Sequence, residues 1–276
     1  MARPVQTPPP LPAPVPAIAT KPRCRIGIAE DAAFCFYYVD NLHLLVQAGA
    51  ELVPFSPLAS SRLPPVDALY LGGGYPELHA VALEKNAEMR ADIKSFCESG
   101  ASIFAECGGL MYLADALVAG KEDPKSYEMC GVFPGLVTRM KKRCTMYYAT
   151  VELTKDNPVF GKGDEGANGS EDEKLFCRGQ EFHYSEVVTE EGKEVDPLIC
   201  TSPPPVIITP ERPGATSIPG GYAHRNTFAS HLHLFFGSKS KYAGNQGGSG
   251  DCTDDTLADY FVRSAMRNSP RGKANM

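Results

Sequence analysis

The run Ile103-Phe104-Ala105-Glu106-Cys107-Gly108-Gly109-Leu110 decides how the chain is read. Residues 101–106 form an apolar stretch that reads as a buried strand. It ends on a cysteine, and two glycines then open a helix expected to run through Leu117. A sharp strand-to-helix turn of this kind projects a nucleophile above the edge of a sheet. Small neighbours are needed because the turn is tight and a substrate must approach the backbone. The helix N-terminus favours negative charge on the thiol and offers N–H groups to an oxyanion. An isolated C-G-G also fits a packed cysteine beside a glycine turn, so the reading depends on its surroundings.

Two further stretches supply those surroundings. Leu69-Tyr70-Leu71-Gly72-Gly73-Gly74-Tyr75-Pro76-Glu77 is a second strand ending in glycines before a helix expected over 76–99. It lacks the G-x-x-x-x-G-K-[ST] and G-x-G-x-x-G patterns of nucleotide-binding turns. In a doubly wound sheet the ends of neighbouring strands form the ligand crevice, so backbone N–H groups of this turn could face Cys107. A purely structural turn is the competing reading. Further along lies Asn226-Thr227-Phe228-Ala229-Ser230-His231-Leu232-His233-Leu234-Phe235-Phe236. A cysteine nucleophile needs a base, usually histidine, and on one strand His231 and His233 would point to the same side. The same pair could be half of a metal site with His183, but no acidic cluster at ligand spacing accompanies it, so no metal is expected.

Outward from these motifs the chain alternates strand and helix: strands over 25–29, 51–55 and 66–71, and a helix over 40–49 with Asp40 as N-cap and Gly49 as its stop. Met89, Ile93 and Phe96 mark the core face of the helix expected over 76–99. This pattern predicts an α/β fold, a doubly wound and mostly parallel sheet. The second half carries β-rich runs over 144–153, 176–188, 205–209 and 227–236, then a helix near 254–266. A Pro-rich, acid-free arm (1–23) precedes the domain (24–268), loop insertions interrupt it near 161–174 and 238–251, and a tail (269–276) follows.

Composition narrows the function classes. The 276 residues carry 27 Lys+Arg against 33 Asp+Glu, a formal charge of −6. Neither a basic excess nor a run of about 18 apolar residues is present, so no nucleic-acid or membrane partner is expected. The nine cysteines include no C-x-x-C, and most of them read as reduced, packed thiols in the cytoplasm. An organelle is the alternative if the arm is a transit peptide, and the sequon at Asn168 carries no weight without a secretory signal.

Taken together, the residues resemble one family. The runs Asp31-Ala32-Ala33-Phe34, Phe36-Tyr37-Tyr38, Asp40-Asn41-Leu42 and Pro54-Phe55-Ser56-Pro57-Leu58 carry the likeness, with G-G-G-Y-P-E-L-H at 72–79 and A-E-C-G-G-L-M-Y-L at 105–113. Gly179-Gln180-Glu181-Phe182-His183-Tyr184-Ser185 and A-S-H-L-H-L-F-F at 229–236 continue it. The chain is similar to the class I (flavodoxin-like) glutamine amidotransferase domain of the cobyrinate a,c-diamide synthase family. The resemblance implies that Cys107 attacks the glutamine amide, that Gly108 and Gly73 or Gly74 hold the oxyanion, and that His233 protonates the departing ammonia. Tyr75, Glu77, Glu181 and His183 would line the site.

Some features depart from the family. The wider class places a glutamate two residues after its histidine, where this chain has Phe235; the pair is then a dyad or has an unidentified third member, and His231 remains a rival base. Tyr147-Tyr148-Ala149 stands where Gly-Tyr-Arg is typical. The phosphate-binding loop of the complete synthases is missing, so ATP and Mg are expected on a separate synthetase partner, with no cofactor in this chain. A glutaminase serving another amidating partner, a non-catalytic scaffold that keeps the fold, and a cysteine hydrolase or redox sensor are the alternatives.

Overall fold

The computed structural model describes residues 21–120, 122–161, 175–189, 203–238 and 255–273. Nearly all of the expected arm and both loop insertions lie outside the described residues, as do Cys200, Cys252 and the sequon at Asn168.

The first half runs β1 (Cys24–Ala29), β2 (Phe34–Phe36), α1 (Val39–Gln47), β3 (Ala50–Phe55), β4 (Ala68–Leu71) and the two-residue β5 (Gly73–Gly74). After a 3-10 turn at Pro76–Leu78 come α2 (Ala80–Lys85), α3 (Ala87–Glu98), β6 (Ser102–Glu106) and α4 (Gly108–Leu113). The second half contributes β7 (Ala114–Ala119), β8 (Lys125–Glu128), β9 (Phe133–Leu153), β10 (Leu175–Thr189) and β11 (Val206–Pro210). The strands β12 (Ile218–Gly220), β13 (Tyr222–His224), β14 (Thr227–Ser230) and β15 (Leu232–Phe235) precede α5 (Leu257–Arg267) and the short α6 (Pro270–Lys273).

A central six-stranded sheet has the order β13-β14-β6-β4-β1-β3, parallel throughout except for β13. Its inner strands are buried on both faces, which is why they read as continuous apolar runs. Their side chains alternate between two cores. Leu69, Leu71, Ile103 and Ala105 pack with Met89 and Ile93 of α3. Tyr70 and Phe104 face the opposite way, into a cluster with Leu45 of α1, Phe261 of α5 and Phe160. No described helix is long and apolar enough to cross a membrane.

The fold is mixed α/β with a mostly parallel central sheet, as the sequence predicts, but several elements differ. A second sheet, β12-β11-β9-β10-β15 with β7 and β8 attached, builds the other half of the molecule. It is antiparallel apart from the β7–β9 pairing, and it packs together with α1 and α5 on one face of the central sheet. The single helix expected over 76–99 is broken at Asn86 (φ −82°, ψ 60°), whose Nδ2 donates to the Pro57 and Ser60 carbonyls at 2.8 and 2.9 Å. Those bonds tie Asn86, the residue between α2 and α3, to the loop that follows β3. The helix expected to reach Leu117 stops at Leu113, because residues 114–119 pair with β8 and β9. Asp40 lies inside the first turn of α1, with Tyr38 at the N-cap. In the stretch expected as a tail, Ser269 donates to Asp67 at 2.5 Å and Arg271 lies 3.4 Å from the same carboxylate. All seven described cysteines are free, and five of them are buried, with Cys35 exposed and Cys144 half-buried.

Candidate functional site

The candidate site begins where β6 ends. Cys107 has φ +47° and ψ −99°, a left-handed conformation that a side-chain-bearing residue seldom adopts. Such a residue costs about 1–3 kcal/mol and persists only when its surroundings hold it. Here the Cys107 N–H donates to Ser230 O at the end of β14 (2.8 Å), and the Met111 N–H caps its carbonyl (3.1 Å). One residue on, the Gly109 N–H donates to Gly72 O (3.0 Å), tying the elbow to the glycine turn after β4.

The glycines are required by close approach. A Cβ on Gly73 would sit 2.6 Å from Cε1 of His233, and one on Gly108 would lie 3.1 Å from the Gly74 nitrogen. Gly74 holds φ +155°, and a Cβ there would run into the Ala33 carbonyl. Gly73, Gly74, Gly108 and Cys107 are therefore brought together, at the carboxyl ends of the adjacent strands β4 and β6.

His233 reaches this point from the other sheet. β14 pairs with β6 in the central sheet, whereas β15 pairs with β10 in the antiparallel one, and the chain crosses between them at His231. The crossing separates the two histidines expected to point to the same side. His233 faces the cavity of Cys107; His231 turns away into an adjacent cavity of about 500 Å³. There His231 stacks on His183 at 3.9 Å and bonds the Ser185 hydroxyl at 2.9 Å. Burial, helped by the charges of His183 and Lys141, pushes the His231 imidazole well below its ordinary value.

Behind His233 stands an acid whose part in the site the sequence did not reveal. Glu106, the last residue of β6, is 1% exposed, and its Oε2 lies 3.5 Å from His233 Nδ1. The contact is longer than a formed hydrogen bond, and among the described residues no other acceptor meets this nitrogen. Burial alone pulls the His233 imidazole down, but the Cys107 thiol and the Glu106 carboxylate outweigh it and push the ring from 6.5 to about 10. A carboxylate ending an otherwise apolar strand was the available signal.

The Cys107 cavity, of about 560 Å³, is walled by Phe36, Gly74, Tyr75, Glu77, Phe182 and His183 among others. Of the expected lining residues, Tyr75 and His183 are in place; Glu77 also faces the cavity, and burial raises its carboxyl. Glu181 instead opens on the neighbouring cavity, where its carboxylate lies 3.3 Å from Nε2 of His183. Cys107 and His233 are both nearly buried, so chemistry here is shielded from bulk water. Among the described residues no three His, Cys, Asp or Glu side chains are placed to hold a metal.

Asn41 fixes the strand that carries His233. Fully buried on α1, it donates to Leu234 O (2.7 Å) and accepts from Phe236 N–H (2.8 Å), bracketing β15. Asn41→Leu leaves both backbone groups unpaired in an apolar setting. The expected cost is about 2–4 kcal/mol, measured by urea unfolding against wild type, and a stability change under about 0.5 kcal/mol would contradict this reading.

Several known proteins are similar to this chain. A family model described as a CobB/CobQ-like glutamine amidotransferase domain matches residues 25–241. Cobyrinate a,c-diamide synthase of Listeria monocytogenes is 40% identical over 215 residues, 77% of this chain and 42% of that protein. The enzyme of the same name from Leptospira interrogans is 36% identical over 250 residues, 90% of this chain and 47% of its own length. The chain thus spans less than half of these curated relatives. In fold, it is similar to a chain of the PurLQS structure from Thermotoga maritima, with a TM-score of 0.50, 13% identity, and coverage of 90% of this chain and 99% of that one.

Proposed function

The chain belongs to the CobB/CobQ-like glutamine amidotransferase domain family, and on that premise we propose that it hydrolyses glutamine through Cys107 and hands the ammonia to an amidation reaction. One observation carries the proposal: a strained cysteine elbow, a glycine turn and a buried histidine from a second sheet all meet at one shielded cavity.

The Cys107 thiolate attacks the side-chain amide carbon, forming a C–S bond and placing the charge on the amide oxygen. Backbone N–H groups of Gly108 and of the Gly73–Gly74 turn receive that oxyanion. As the C–N bond breaks, the His233 imidazolium gives its proton to the departing ammonia. Neutral His233 then takes a proton from water, whose oxygen attacks the thioester and releases glutamate and the thiol. Tyr75 and His183 shape the cavity around the substrate. Glu181, which opens on the next cavity, acts on the site only through His183.

The acceptor we propose is a carboxylate of a corrinoid, since relatives that align with this chain are cobyrinate a,c-diamide synthases. Activation of that carboxylate by ATP and Mg is the task of a synthetase unit that works with this domain.

A glutamine-analogue diazoketone tests the glutaminase step directly. Peptide mass spectrometry is expected to find one adduct, on Cys107, suppressed by excess glutamine. Modification of the more accessible Cys35 or Cys144, with Cys107 unmodified and glutamine giving no protection, would overturn the reading.

A further inference from the structure

Glu106 is buried, and among the described residues no Lys or Arg pairs with it. We propose that Glu106 is the positioning residue of the reactive pair, orienting His233 through Nδ1 and holding it as the imidazolium that faces Cys107. The inference rests on the reading of Cys107 and His233 as a glutaminase pair.

Glu106 is aimed by its own partners. The Leu234 N–H donates to Oε1 and the Tyr70 hydroxyl to Oε2, each at 3.0 Å, so both oxygens are fixed by neutral groups. Tyr70 is in turn fully buried and packed on Phe104 and Phe236. A buried carboxylate left with neutral donors alone is costly, and His233 is the cation within reach. The need is mutual, because His233 Nδ1 is buried and among the described residues meets no other acceptor. With Nδ1 turned to Glu106, the other ring nitrogen is left to Cys107. Phe36 closes the ring from the side, edge-on with centroids 4.7 Å apart.

The other titratable groups near His233 do not replace Glu106. Cys107 faces it across the cavity, Tyr38 approaches edge-on at 6.4 Å from the start of α1, and His231 sits two residues back in the adjacent cavity. Tyr70 reaches His233 only by way of Glu106.

A structural reading gives Glu106 one task, accepting the Leu234 N–H to seat β15 against β6. Glu106→Gln separates the two, because the amide oxygen can still accept that bond while the charge is gone. Three readouts apply to the full chain: kcat and KM for glutamine, the alkaline limb of the pH–kcat/KM profile, and 15N NMR titration of the imidazole, assigned with His233→Asn. Glu106→Gln is expected to lower kcat about 10²-fold or more with KM changed less than about threefold. The alkaline limb and the His233 titration should both move to lower pH, by roughly a unit or more. Glu106→Asp, which keeps the charge, should recover part of the kcat.

An unmoved alkaline limb and an unmoved His233 titration in Glu106→Gln overturn the proposal, whatever happens to kcat. Should Glu106→Gln fail to fold, Glu106→Asp decides: withdrawing the carboxylate must lower the His233 titration, and an unchanged titration refutes the assignment. The NMR readout needs no glutamine. A wild-type chain that does not turn over glutamine, yet shows the shift, would sink the glutaminase reading and leave the role of Glu106 standing.

Discussion

Cys107→Ser lowers glutamine turnover by at least about 10³-fold, the scale seen when a covalent nucleophile is removed from an intact site. The exchange of sulfur for oxygen is small enough for the elbow to survive, since what holds it is backbone: Cys107 N–H to Ser230 O and Met111 N–H to Cys107 O. The loss is chemical. A hydroxyl is far harder to ionise than a thiol, so the serine does not supply the anion that attacks the amide. Coupled assays of glutamate release, set beside thermal melts, separate the two effects. Unchanged melting with activity gone is the expected result; retained activity would show that the nucleophile lies elsewhere.

Gly109→Ala has the largest expected effect on the fold. A Cβ at this position would lie 2.2 Å from the Leu71 carbonyl oxygen and 2.9 Å from two more atoms of Leu71. The obstacle is backbone at the end of an inner strand, which cannot swing aside as a side-chain tip can. Either α4 lifts from β4, breaking the Gly109 N–H to Gly72 O bond, or β4 shifts in the sheet. The expected destabilisation is about 3 kcal/mol or more, with glutamine turnover lost even in the fraction that folds. Gly135→Ala is the matched control, at φ +78° with nothing within 4 Å of its new methyl. Backbone strain alone should cost it about 1 kcal/mol, so denaturation midpoints that fail to rank the two in this order would refute the steric argument.

Local chemistry decided how much of this was readable in advance. The elbow at Cys107 and the turn at 72–74 are short, and each residue's role follows from its neighbours. The inner strands were legible for a related reason, being apolar on both faces. What stayed hidden depends on partners distant in sequence. β9 is 21 residues long and spans both cores, so neither its length nor its pairing with β10 follows from a periodic pattern. The break at Asn86 depends on carbonyls 26 and 29 residues away. His231 and His233 looked equivalent on one strand because nothing at that point announces a change of sheet. Glu106 was visible in the motif, yet its alignment depends on Leu234, 128 residues later.

That change of sheet has a consequence for the protein's tolerance of substitution. Cys107 is carried by one sheet and His233 by the other, with His231 as the joint between them. Their separation is therefore a reading of how the two sheets are seated, and the seat is a stack of aromatic rings: Phe104 against Phe160 and Phe236 at 5.0 and 5.7 Å. These rings touch no substrate, yet they act as the calibration of the instrument. A methylene lost or gained there changes the reach of His233 toward Cys107 while leaving every residue of the cavity in the sequence untouched.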